Sequence, residues 1–114
     1  MVNQYNDWSE NQLKEIWNKG AAVPGINSAK YRKDIAGAWI EYPKYGNTDS
    51  ELGFGWEIDH RVPKSRGGTD DISNLRPLQW RNNRSKGDSY PVWTSVVSSN
   101  GDTNIEKTQN WSLE

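Results

Sequence analysis

His60 is the only histidine in the chain, and Asp59 stands directly before it in Trp56-Glu57-Ile58-Asp59-His60-Arg61-Val62-Pro63. A carboxylate followed at once by an imidazole suits metal-assisted phosphate chemistry. Phosphodiester hydrolysis needs an activated water, neutralised phosphate charge and a stabilised leaving oxygen. Asp59 could hold a hard divalent cation, which covers the last two needs. His60 could deprotonate the water, because an unperturbed imidazole titrates at about pH 6.5. Two amides follow. Asn74 comes 14 residues after His60, and Asn83 a further 9 residues on. A Mg²⁺-like ion takes oxygen ligands and keeps several waters, and the Asp59 carboxylate and Asn83 amide oxygen fit that demand. Asn82 is the rival ligand. On a helix it points about 100° from Asn83, so one of the two faces the site. Asn74 reads as a turn residue, its amide holding loop backbone.

These residues need elements to bring them together. Residues 54–60 read as a strand ending at the Asp-His pair. Pro63 discourages regular continuation, and Lys64 to Asp71, with Gly67-Gly68 in its middle, reads as a loop. Leu75 to Leu78 is a short return strand weakened by Pro77, and residues 79–87 form a helix stopped by Gly87. This ββα order sets the end of the first strand against the helix that carries Asn83. It also raises a difficulty. Consecutive strand side chains point to opposite faces, so Asp59 and His60 serve one site only if the backbone leaves ideal β geometry near His60.

Elsewhere, residues 8–19 predict an amphipathic helix. Ser9 and Gln12 form a capping box, Trp8 can staple onto Leu13, and Leu13, Ile16 and Trp17 share one face. Asn27 or Ser28 could cap a short helix through Tyr31, and residues 35–42 read as a strand. Asn100-Gly101 between strand-like runs signals a hairpin over about 91–107.

The run Trp56-Glu57-Ile58-Asp59-His60-x-Val62-Pro63-x-Ser65-x-Gly67-Gly68-Thr69-Asp70-Asp71-x-x-Asn74-Leu75-x-Pro77-Leu78, followed by Trp80-Arg81-Asn82-Asn83-Arg84-Ser85-Lys86-Gly87-Asp88, resembles the HNH endonuclease signature. Tyr31-Arg32-Lys33-Asp34 and Tyr45-Gly46 are similar to stand-alone bacterial and phage members. The resemblance implies a ββα-metal fold, a divalent cation and DNA cleavage. By position, Asp59 and Asn83 would be the metal ligands, His60 the general base, and Asn74 the residue that holds the loop so that His60 is aimed. The last motif position is Asn83 rather than His, a variant that implies Mg²⁺ or Mn²⁺ over zinc. Gln79 and Asn82 stand where many members carry a second cysteine pair. No structural zinc is therefore expected.

Composition agrees with a small domain. The 114 residues favour one domain, 1–114, of class α+β: the ββα core, an added N-terminal helix and flanking strands with a hairpin. There is no cysteine for a disulfide or a thiolate zinc site. Seven tryptophans and five tyrosines imply a core built largely on aromatics. Net charge is −1, but residues 59–88 hold seven Lys/Arg against four Asp. That local excess suits a polyanion, with double-stranded DNA the expected partner. Arg84, Lys86, Arg81, Lys64 and Arg66 are candidate phosphate contacts, Arg84 first because it adjoins Asn83. No apolar run long enough to span a bilayer and no signal peptide are visible, so a cytoplasmic location with no membrane partner is expected. The expected function is that of a weakly specific, metal-dependent DNA endonuclease. Its rivals are a catalytically silent DNA-binding module of the same fold and a ribonuclease or toxin nuclease. The start at Met1 is read as a complete stand-alone chain rather than a toxin domain.

Overall fold

The structure is a computed structural model and describes residues 8–112. Helix α1 (Glu10–Trp17) is followed by strands β1 (Tyr31–Lys33), β2 (Trp39–Glu41), β3 (Trp56–His60) and β4 (Leu75–Gln79). Helix α2 (Trp80–Lys86) and strands β5 (Val92–Asn100) and β6 (Thr103–Ser112) complete the chain. The strands pair as three antiparallel two-stranded sheets, β1–β2, β3–β4 and β5–β6. The fold is α+β.

Helix α1 starts where its capping chemistry dictates. The Ser9 hydroxyl accepts from the Gln12 N–H, and the Gln12 side chain accepts from the Ser9 N–H. Its apolar face buries Ile16 and Trp17 against Ile40, Trp56, Ile58 and Leu75, with Trp8 and Leu13 packed at the margin. Aromatic rings fill this core. Trp17 lies 5.3 Å from Trp56 and 5.4 Å from Tyr42, and Tyr45 lies 4.8 Å from Trp56. Each such ring removes a large apolar area from water, which a small domain needs.

Two expectations before residue 43 require correction. No helix forms through Tyr31. The Asn27 carbonyl accepts from the N–H groups of Lys30 and Tyr31, its side chain accepts from Ala29, and the single turn gives way to β1. The strand expected over 35–42 is only Trp39–Glu41. Asp34 closes a turn before it, accepting from Gly37 through its carbonyl and from Ala38 through its carboxylate, with Gly37 at φ 89°. Ile35 is consequently left half exposed at the turn.

Asp34 is also the hub that fixes α2. Its buried carboxylate accepts from the Gln79 N–H at 2.9 Å and the Asn82 amide at 3.0 Å. Burial holds this carboxyl above its ordinary pKa, against the opposing pull of those hydrogen bonds. Asn82 fills all four of its amide positions: it donates to Asp34 and the Val97 carbonyl and accepts from the Val96 and Val97 N–H groups. The β5–β6 register shifts between Ser95 and Val97, beside this insertion. Gln79 caps α2 through its side-chain oxygen and ties down the Glu51 and Gly53 carbonyls through its amide.

The C-terminal hairpin reaches Ser112, five residues past its expected end, because Trp111 stacks on Trp93 at 5.8 Å and donates to Ser95. Asn100 pairs with Thr103, so the two-residue turn is Gly101-Asp102 rather than Asn100-Gly101. Among the described residues, no helix is long and apolar enough to cross a membrane.

Candidate functional site

Strands β3 and β4 pair in register from Trp56↔Gln79 to His60↔Leu75, and α2 follows β4 without a loop. Helix α2 packs on β3, β4 and β5. A cleft of about 490 Å³ opens between the end of β3, the loop after it and α2. Asp59, His60, Asn83, Arg84 and Lys64 line it together with Asp88. Pairing stays regular through His60, where β3 ends and the chain bends at Arg61 and Val62. The cleft wraps this strand end, so residues 58, 59 and 60 all line it. Asp59 approaches from the buried face and His60 from the exposed end.

Glu57 and Asp59 share the face of β3 turned toward α2. Both are buried, and both are compensated. The Asp59 carboxylate, 3% exposed, accepts from Arg76 Nε at 2.8 Å through Oδ2, and Lys86 Nζ lies 3.1 Å from Oδ1. Lys86 also donates to the His60 carbonyl at 3.0 Å, which pins the end of the strand. Two cations, Lys86 buried and Arg76 partly so, thus compensate one buried carboxylate.

Glu57 orients the amide. Its Oε1 accepts from Asn83 Nδ2 at 3.0 Å and from Arg84 Nε at 3.1 Å, while Oε2 accepts from Arg84 Nη2 at 2.8 Å. A carboxylate accepts and cannot donate, so the Asn83 nitrogen must face Glu57 and its oxygen the other way. Asn82, the rival, is buried in the Asp34 and β5 network and lines no part of the cleft.

His60 Nε2 lies 2.7 Å from Asp70 Oδ1, and Lys64 Nζ donates to the other Asp70 oxygen at 2.9 Å. The hydrogen bond to His60, then that to Lys64, holds the Asp70 carboxyl below its ordinary pKa. Asn74 grips the loop between. It accepts from the Val62 N–H at 2.9 Å and donates to the carbonyls of Val62 and Thr69 at 3.0 and 2.8 Å. Gly68 makes this closure sterically feasible, because a Cβ there would sit 1.7 Å from the Val62 oxygen.

The predicted phosphate contacts divide. Lys64 lies at the cleft with its ammonium exposed, and Arg66 is exposed outside it. Arg81 is half-buried, 3.5 Å from Glu106. Arg84 reaches the cleft rim, 58% exposed, but its guanidinium is paired with Glu57. Lys86 is a correction. At 1% exposure, and bonded inward, it serves Asp59 and the strand end rather than a surface phosphate. Sequence reasoning missed Glu57, Asp70 and Arg76. Glu57 carried a signal, since period-2 alternation puts it on the face of Asp59. Arg76 carried a weaker one, as the cross-strand partner of Asp59. Asp70, ten residues from His60 across an irregular loop, carried none.

Among the described residues, no group of three or more His, Cys, Asp or Glu converges as a metal site. The donor set is smaller: one anionic oxygen pair and one neutral amide oxygen on opposite walls of a polar cleft. It fits a hard cation held through few protein ligands and completed by water and phosphate. Asp59 also carries its two cationic partners, Arg76 and Lys86, behind the cleft.

The fold and cleft define a small α+β domain with an acid, an imidazole and an amide at the junction of a strand pair and a helix. Residues 49–89 match the family model described as HNH endonuclease. The matched segment covers a little over a third of the chain and encloses β3, β4 and α2. No curated protein matched the chain, and neither did any solved structure.

Proposed function

We propose that this protein is a metal-dependent endonuclease acting on double-stranded DNA with little sequence preference, and that β3, β4 and α2 form its ββα-metal core. The convergence of Asp59, His60 and Asn83 on one cleft, inside the HNH segment, carries the reading. Asp59 and Asn83 would hold one Mg²⁺ or Mn²⁺ ion. When bound, such an ion neutralises phosphate charge and stabilises the leaving oxygen. His60 takes a proton from the attacking water. Asn74 fixes the loop beside it. Lys86 and Arg76 hold the Asp59 carboxylate in place, and Glu57 turns the Asn83 oxygen toward the cleft. Lys64 and Arg84, at the rim, are the phosphate contacts, with Arg66 and Arg81 farther out.

One observation favours a second reading, a catalytically silent nucleic-acid-binding module. Asp59 already faces two cations, which weakens its hold on a third. Nicking of supercoiled plasmid with Mg²⁺ or Mn²⁺, against an EDTA control, separates the two. Metal-dependent nicking supports the enzyme. Retardation of DNA without nicking supports the module.

A further inference from the structure

The imidazole of His60 is held by its Nε2 edge. Its partner, Asp70, follows directly on Thr69, whose carbonyl is clamped by the Asn74 amide. The clamp therefore reaches His60 through Asp70: the Asn74 side chain bonds loop backbone, and the loop presents the carboxylate. An ionised carboxylate is acceptor-only, so the proton of this bond belongs to Nε2. The neutral ring then carries its lone pair on Nδ1.

We propose that Asp70 is the positioning residue of His60, fixing the Nε2–H tautomer and leaving Nδ1 as the nitrogen that accepts the proton of the attacking water. The proposal rests on the reading of His60 as general base. In the step, the Nδ1 lone pair takes one proton from water. The water oxygen forms the new P–O bond as the ester P–O bond breaks, and the departing oxygen keeps its electron pair until solvent protonates it. The imidazolium formed lies against the Asp70 carboxylate, which stabilises it, as the carboxylate of a catalytic triad does. Lys64, on the second Asp70 oxygen, keeps that carboxylate ionised and turned toward the ring.

The chain has a single histidine, so ¹⁵N-histidine labelling gives one imidazole signal set without assignment. The metal-free full chain, at a pH where the ring is neutral, is compared with D70A and D70E. The wild type should show a slowly exchanging proton on Nε2, and D70A should lose it. In plasmid nicking, D70A should lower kcat by about 10- to 100-fold, a share of what a general base contributes, without raising KM. D70E, which keeps a carboxylate, should recover part of both. A wild-type ring protonated on Nδ1, or D70A with full nicking, overturns the proposal. The spectrum needs no turnover. An intact Nε2–H signal in a wild type that nicks no DNA counts against the nuclease reading itself, and Asp70 then has no base to position.

Discussion

The Lys86 ammonium lies 3.1 Å from Oδ1 of Asp59 and 3.0 Å from the His60 carbonyl, wholly inside the protein. One buried cation thus grips the candidate metal ligand through its side chain and the candidate base through its backbone. The end of β3 that lines the cleft is held from behind by a buried charge.

Truncating Lys86 removes one of two cations from a buried carboxylate. K86A should destabilise the fold by about 3 kcal/mol, at the lower end for a broken buried pair because Arg76 remains. Urea unfolding measures this. A loss below about 0.5 kcal/mol would contradict the buried placement, since surface substitutions fall in that range.

The two neighbouring asparagines should separate cleanly. N82A takes hydrogen-bond partners from buried backbone groups of β5 and one of its donors from the Asp34 carboxylate, so it should lower stability by about 2 kcal/mol or more. N83A should cost less, about 1 kcal/mol, because Arg84 still pairs with Glu57, and should weaken Mn²⁺ binding, followed by calorimetry with a nonhydrolysable DNA present. The reverse pattern would mean that Asn82, not Asn83, faces the cleft.

Much of this arrangement is readable from residue order. Ser9 and Gln12 are a local hydrogen-bonding pair, so they place α1 without tertiary help. Asp59, His60 and Asn83 stand out by side-chain chemistry and spacing, the strand, loop, strand and helix signals of residues 54–87 place them in a ββα order, and the resemblance implies the same unit. What escaped was settled by tertiary partners. Asp34 turns the chain at Gly37 because its carboxylate is shared with α2, forty-five residues away at Gln79. Lys86 has the position of a helix-end surface cation, and only its tertiary partner Asp59 accounts for its burial. Trp93 and Trp111 extend the hairpin through a contact across strands, which a local turn signal does not encode.

Phosphate binding should follow exposure rather than charge count. Affinity for unrelated duplexes should fall steeply with salt. K64A should reduce the log–log salt slope by about 1, the signature of one lost phosphate contact. K86M should leave that slope unchanged. Fluorescence anisotropy over a salt series reads both. An equal drop for K86M would place Lys86 on the DNA.

The central claim is that the Asp59–His60–Asn83 cleft cleaves DNA with a divalent cation. The most direct measurement is nicking of supercoiled plasmid by the wild type and by H60A, each with Mn²⁺ and with EDTA, alongside a circular-dichroism check that H60A is folded. The wild type should convert supercoiled to open-circular plasmid with Mn²⁺ alone, and folded H60A should lose at least about 100-fold of that rate while still binding DNA. Wild-type-like nicking by H60A, or no nicking by a wild type that binds the plasmid, would contradict the account.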